Sequence, residues 1–251
     1  GTYAEILFPD SPIEAFRNAK GIVFTDSPID LKQADDLQFN SEILNLPQPK
    51  LAICFGKQLL VQKLGGRIKS GEERRYLLEK LTIKEKKDPL FKEIPNSSTV
   101  WMRLGESCTQ LPDGFQTIAS TPHCPTAVIA DNRRKIYAIQ FHPEVTHTQY
   151  GNQLMSNFLE ICGCKRDWSM ERYYNELANS IRSQTEGKKV FLLVSGGVDS
   201  TVCFVMLNKI LGKERVLGLH IDSGMMRLGE SAGVMEYLVA EGMDNLKIAD
   251  A

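Results

Sequence analysis

The hexapeptide Ser195-Gly196-Gly197-Val198-Asp199-Ser200 joins an unbroken apolar run, VFLLV at 190–194, to an apolar-periodic stretch, TVCFVMLNKIL at 201–211. A short all-apolar run bounded by turn residues reads as a strand. Glycines followed by helical periodicity read as a tight turn into a helix. The first backbone N–H groups of such a helix have no partner within it, and its dipole favours negative charge, so the turn is an anion cradle with two serine hydroxyls beside it. No Gly-Lys-Ser/Thr ending follows, which excludes the Walker A loop. The same punctuation repeats in RVLGLHI at 215–221 and a helix through SAGVMEYLVAEG, predicting the start of a doubly wound parallel sheet. Read without context, the turn is also a plain glycine helix cap.

Upstream the pattern differs. GIVF (21–24), KLAICF (50–55) and QLLVQKL (58–64), closed by Gly65-Gly66, read as βα units, while LLEKLTI, TVWM, FQTIAS, TAVIA and KIYAIQF between about 76 and 141 read as strands. The expectation is a mixed sheet with antiparallel additions and flanking helices. Helical periodicity from Gln149 breaks over CGCKRDWSM and resumes in MERYYNELANSIRSQ, so the domains are expected at 1–164 and 165–251.

Composition narrows the function classes. Thirty basic and 31 acidic residues and a pI near 6.5 argue against a sequence-independent nucleic-acid binder, and 42% hydrophobic residues argue against disorder. No membrane partner is expected, since no run approaches the roughly 20 apolar residues of a span. Six cysteines form no dense framework, which suits reduced thiols and a cytoplasmic location.

Cys54 falls at a strand-to-helix junction, AICFGKQ, where Gly56 permits a sharp elbow and the helix N-terminus stabilises thiolate. After KIYAIQF comes His142-Pro143-Glu144, an imidazole to take a thiol proton and a carboxylate to orient it. Each residue also has a plainer reading: a small buried hydrophobe, a loop histidine, a surface charge.

Taken as whole strings, these segments resemble known families. AICFGKQ is similar to the Gly-x-Cys-x-Gly-x-Gln elbow, and QFHPEVTHT to the signature, of class I glutamine amidotransferases; SGGVDS resembles the PP-loop of ATP pyrophosphatases. His220-Ile221-Asp222-Ser223-Gly224-Met225-Met226-Arg227 looks like the Asp-Asn-Gly-Leu-Leu-Arg stretch of the glutamine-hydrolysing GMP synthase family, in which the two halves occur in this order. The resemblance implies Cys54 as nucleophile, His142 as base and Glu144 as its orienter, with Phe55 and Gln58 binding glutamine. It implies that Ser195, Gly196, Gly197, Val198, Asp199 and Ser200 hold the ATP pyrophosphate, that the Ile221 backbone meets adenine, and that Asp199 lies near Mg²⁺. The implied substrates are glutamine, ATP and xanthosine monophosphate (XMP). The implied assembly is a homodimer formed through a region past residue 251. A first strand and helix before Gly1 are implied as well.

Several residues depart from the family pattern, and all of them surround the implied glutamine pocket. Thr25-Asp26-Ser27-Pro28 replaces Ser-Gly-Gly-Pro, Ala52 the elbow glycine and Lys57 a methionine. Arg74-Arg75-Tyr76-Leu77 stands for Arg-Glu-Phe/Tyr-Gly, and Arg103-Leu104-Gly105-Glu106 for Ser-His-Gly-Asp. Side chains at 25–27 stand where an oxyanion would meet bare backbone, while Arg75 and Arg103 offer partners for a carboxylate. The alternatives are an ammonia-dependent synthase with a degraded or regulatory glutaminase half, and a non-catalytic nucleotide-binding protein.

Overall fold

A computed structural model describes residues 1–27 and 38–250, leaving aside the side chains at 70 and 72–74, so Pro28 and the Arg74 side chain lie outside the described residues. The chain divides into two compact units, Thr2–Arg166 and Asp167–Ala251 with Gly1.

The first unit is built on a seven-stranded sheet. Its strands are β1 (Ile22–Phe24), β2 (Lys50–Ile53), β3 (Arg67–Ile83), β4 (Ser97–Gln110), β5 (Gln116–Ser120), β6 (Val128–Asp131) and β7 (Ile136–Ile139), in the order β1-β2-β7-β6-β5-β3-β4. β1, β2 and β7 run parallel and the remaining pairings are antiparallel, as a mixed sheet requires. β2, β6 and β7 are buried at every position because both faces are covered. On one face Leu51, Ile53, Tyr137 and Ile139 pack with Leu154 and Phe158 of α2 (Gly151–Ile161). On the other Ala52, Ile136 and Ala138 pack with Leu60 and Val61 of α1 (Phe55–Lys63). Two-sided burial is why these strands read as continuous apolar runs.

Several elements differ from their sequence reading. KLAICF does not stay extended to Phe55: Cys54 turns to φ 51°, and Phe55 opens α1. β3 and β4 begin or end well outside the apolar cores of LLEKLTI and TVWM, pairing from Arg67↔Gln110 to Thr82↔Ser97 with a shift between Ser70 and Arg75. That extension is held by backbone pairing with β4, Tyr76 at its edge stays more than half exposed, and no hydrophobic alternation marks it.

The second unit holds α3 (Met170–Gln184), β8 (Val190–Leu193), α4 (Val198–Leu211), β9 (Val216–Asp222), α5 (Glu230–Ala240) and β10 (Leu246–Asp250). Its three strands are parallel in the order β10-β9-β8. Val194, Phe204, Val216, Leu238, Met243 and Leu246 form its core. Gly218 is required there, because a Cβ would stand 2.5 Å from the Phe204 ring. No helix among the described residues is long and apolar enough to cross a membrane.

Candidate functional site

Parallel neighbours bring their carboxyl ends together. Phe24 of β1 pairs with Ala52 of β2, and Ile53 of β2 with Ile139 of β7, so the residues just beyond these ends, Asp26, Cys54 and His142, converge. The carboxyl edge of parallel strands is where open α/β sheets bind ligands.

Cys54 is fully buried in a strained positive-φ conformation, φ 51° and ψ −107°. Such strain persists only where surroundings over-determine it. Here the Cys54 N–H donates to the Ile139 carbonyl at 2.8 Å, and Gly56 packs so tightly that a Cβ would lie 2.4 Å from the Phe24 carbonyl oxygen. The thiol, a carboxylate oxygen of Asp26 and a ring nitrogen of His142 lie within 4.8 Å of one another. Burial, followed by the Asp26 charge, pushes the thiol up to about 12.

His142 Nδ1 lies 2.7 Å from Glu144 Oε1, and its buried Nε2 has no hydrogen-bond partner. The ring is held by its backbone: the His142 N–H donates to the Trp101 carbonyl, and the His142 carbonyl accepts from Thr148 Oγ1. A bridge between Met102 and Phe141 carries β4 to the end of β7. Gly151, first residue of α2, admits no side chain, since a Cβ would meet the Pro143 carbonyl oxygen at 1.8 Å. The expected cysteine, histidine and glutamate are therefore brought together. An oriented imidazole with a free nitrogen beside a thiol is the arrangement that transfers a proton during nucleophilic attack.

The other predicted residues of this region are placed as follows. Phe55 presents its backbone N–H, and that N–H donates to Asp26 Oδ1 at 3.1 Å. Gln58 is buried and donates from Nε2 to Glu106 Oε2 at 3.2 Å, leaving its own Oε1 without a partner. Lys57 is buried and donates to the Thr126 carbonyl at 2.6 Å and to Gln140 Oε1 at 3.3 Å, the latter two residues before His142. Arg103 is buried, with Nη1 3.9 Å from Asp26 Oδ2, whereas Arg75 is exposed. Burial opposes the Arg103 charge, but Cys54, Tyr76, Asp26 and Glu106 outweigh it and shift the guanidinium upward. That cation shares the space of Asp26, Cys54 and His142 and opposes a metal ion on those three ligands. Sequence reasoning passed over Gly151, whose residue type carries no signal away from this packing, and gave Gln140 no role beyond its place in the QFHPEVTHT string.

The second candidate site stands alone in the second unit. Gly196 takes φ +88°, and Gly197 caps α4 with φ −70°. The Ser200 hydroxyl accepts from the Ser195 N–H at 3.1 Å, lies 3.0 Å from Ser195 Oγ and donates to the Gly197 carbonyl at 3.2 Å. Val198 and Asp199 are exposed at the first turn of α4, so this turn is open. His220 steadies it from beneath, with Nδ1 2.7 Å from the Val194 carbonyl and Nε2 3.0 Å from Ser231 Oγ. Ile221 follows on the same strand and is exposed, and the Asp222 carboxylate accepts from the Gly224 N–H.

Residues 1–162 match the model of the class-I glutamine amidotransferases, and residues 169–246 match that of NAD synthase. The chain is 40% identical over 97% of its length to a GMP synthase [glutamine-hydrolyzing] of Staphylococcus epidermidis, covering 47% of that protein. It is 38% identical over its whole length to the GMP synthase of Geobacillus kaustophilus, covering 49% of it. The chain thus spans about half the length of these curated relatives. The crystal structure of a candidate GMP synthase subunit from Thermoplasma acidophilum aligns at a TM-score of 0.58 and 27% identity, covering 70% of this chain and 84% of that one.

Proposed function

Because the chain belongs to the class-I glutamine amidotransferase family, we propose that Thr2–Arg166 is the glutaminase, and Asp167–Ala251 the beginning of the ATP pyrophosphatase, of a glutamine-dependent GMP synthase. The observation that carries this reading is the buried Cys54 thiol beside a His142 ring oriented by Glu144. As the Cys54 sulfur bonds to the glutamine carboxamide carbon, its proton passes to His142. The tetrahedral oxyanion then collapses, the C–N bond breaks, and the imidazolium proton leaves on ammonia. Water, activated by His142, hydrolyses the γ-glutamyl thioester to glutamate and restores the thiol. A thiol pushed up to about 12 is protonated at rest, so proton transfer accompanies attack.

In the second unit the loop 195–200 is assigned to the pyrophosphate of ATP, with the Ile221 backbone at the adenine. Supporting this are the open helix N-terminus and its exposed glycine, serine and aspartate. Asp199, an exposed carboxylate at that N-terminus, fits a Mg²⁺ held mainly by phosphate oxygens, and the ion would neutralise pyrophosphate charge. The reading includes adenylation of XMP, displacement of AMP by ammonia to give GMP, a homodimer and a cytoplasmic location. The test is Cys54→Ala in the complete protein. Glutamine-supported GMP formation should disappear and ammonium-supported formation should persist. Retained glutamine-supported turnover would overturn the assignment.

A further inference from the structure

Within the glutaminase reading, whose chemistry needs an oxyanion stabilised beside Cys54, one donor stands ready: the backbone N–H of Phe55, the first residue after the thiol and the first of α1. Backbone N–H groups at a helix N-terminus combine a free donor with the positive end of the helix dipole, and they are the usual source of such stabilisation. In this chain that donor is already occupied. Asp26 Oδ1 accepts from Phe55 N–H at 3.1 Å. The other oxygen of the same carboxylate lies 3.9 Å from His142 Nε2 and 3.9 Å from Arg103 Nη1.

We infer that the Asp26 carboxylate is a built-in occupant of the oxyanion position, which glutamine must displace before Cys54 can react. Three observations support this. An anion at a helix N-terminus is favourable in itself, so the resting contact is stable and not accidental. The carboxylate carries the charge and the planar geometry of a reaction product, a glutamate side chain, against the same donor and the same imidazole. Its negative charge next to the thiol also disfavours thiolate, adding to the effect of burial. A place for the displaced carboxylate exists as well: Arg103 Nε and Nη2 are buried without a hydrogen-bond partner, as is His142 Nε2. A shift of Asp26 from Phe55 N–H onto the guanidinium fork would free the donor while keeping the charge paired.

Asp26 thus acts twice, by filling the donor and by charge, and two substitutions separate the effects. Asp26→Gly removes both. Asp26→Asn keeps an oxygen able to accept from Phe55 N–H and removes only the charge. In the complete protein without ATP or XMP, glutamine hydrolysis by D26G should rise on the order of 10²-fold, the amount one oxyanion donor contributes. D26N should rise much less. The thiolate absorbance of Cys54 near 240 nm, taken as the difference from the matching Cys54→Ala protein, should titrate at lower pH in both variants. The other charged groups around the thiol, Arg103, His142, Lys57 and Glu144, are unchanged between them. Hydrolysis by D26G no faster than wild type, with an unshifted Cys54 titration, would overturn the inference and leave the glutaminase reading intact. If instead the D26G gain survived in the Cys54→Ala, Asp26→Gly double variant, the nucleophile assignment itself would fall.

Discussion

Each candidate site lies at a helix N-terminus, and what meets the two N-termini differs. At α1 the donor is inside the protein, next to a buried thiol, and a part-buried carboxylate already accepts from it. At α4 the first turn is exposed, capped by no side chain, and the neighbouring serine hydroxyls bond mainly to one another and to the loop's own backbone. The same dipole is therefore spent in opposite ways. Under the proposed function, the glutamine carboxamide would have to compete at α1 with a part-buried anion, whereas a polyanion would approach α4 without displacing any charge.

The glycines of the two turns make the contrast testable, and the largest effect belongs to the closed end. Gly56→Ala would drive a Cβ to 2.4 Å from the Phe24 carbonyl oxygen and 2.9 Å from its Cβ, with backbone and not a flexible tip in the way. Overpacking of that kind costs about 3 kcal/mol, or a fall in melting temperature of roughly 6–12 °C for a unit of this size. Thermal unfolding followed by circular dichroism measures it. An unchanged melting temperature would mean that the elbow is not locked against β1.

At the open end the corresponding glycine is structurally free. A Cβ on Gly197 meets only Ser195 Oγ at 3.5 Å, an ordinary contact, and its φ of −70° suits any residue. Gly197→Ala should leave the melting temperature within about 2 °C. Under the proposed pyrophosphate assignment the methyl group would stand where phosphate oxygens approach the backbone, and ammonium- and ATP-dependent GMP synthesis by the complete protein should fall at least about tenfold. Loss of stability without loss of synthesis would reverse the contrast between the two turns.

How far the sequence discloses these sites follows from how local their determinants are. Cys54 and Gly56 lie in one short segment, His142 and Glu144 in another, and Ser195 to Ser200 in a third, so residue type and spacing suffice to single them out. The occupant of the Phe55 donor is different. Asp26 stands out in the sequence only as a departure from a glycine pattern, and its contact arises because β1 lies beside β2 in the register Phe24↔Ala52. Arg103 reaches the same carboxylate from β4, across the Met102–Phe141 bridge, which no local pattern encodes. β10 escaped notice for another reason: LKIAD alternates only weakly, and it is extended because β9 offers it an edge.

The smallest expected effect follows from burying a thiol beside a carboxylate. Cys54 is pushed from an ordinary value of 9.0 up to about 12, by burial first and the Asp26 charge second. In the unfolded chain the thiol loses its proton near pH 9, while in the folded protein it keeps it to about pH 12, so across that window the native state binds more protons than the unfolded one. The stabilisation is complete below pH 9 and drains away as pH rises through the window, at about 1.4 kcal/mol per pH unit. Cys162, also pushed up to about 12, contributes a slope of the same sign, as does Tyr137, but both remain when Cys54 alone is replaced. The loss of unfolding free energy between about pH 8 and pH 10 should therefore be about 1 kcal/mol smaller in Cys54→Ala than in wild type, whatever the substitution costs at the lower pH. Urea titrations of both proteins at the two pH values give the difference. Parallel losses would place the thiol in contact with water and not closed in beside Asp26, and the distinction between the closed and open helix ends would lose its electrostatic half.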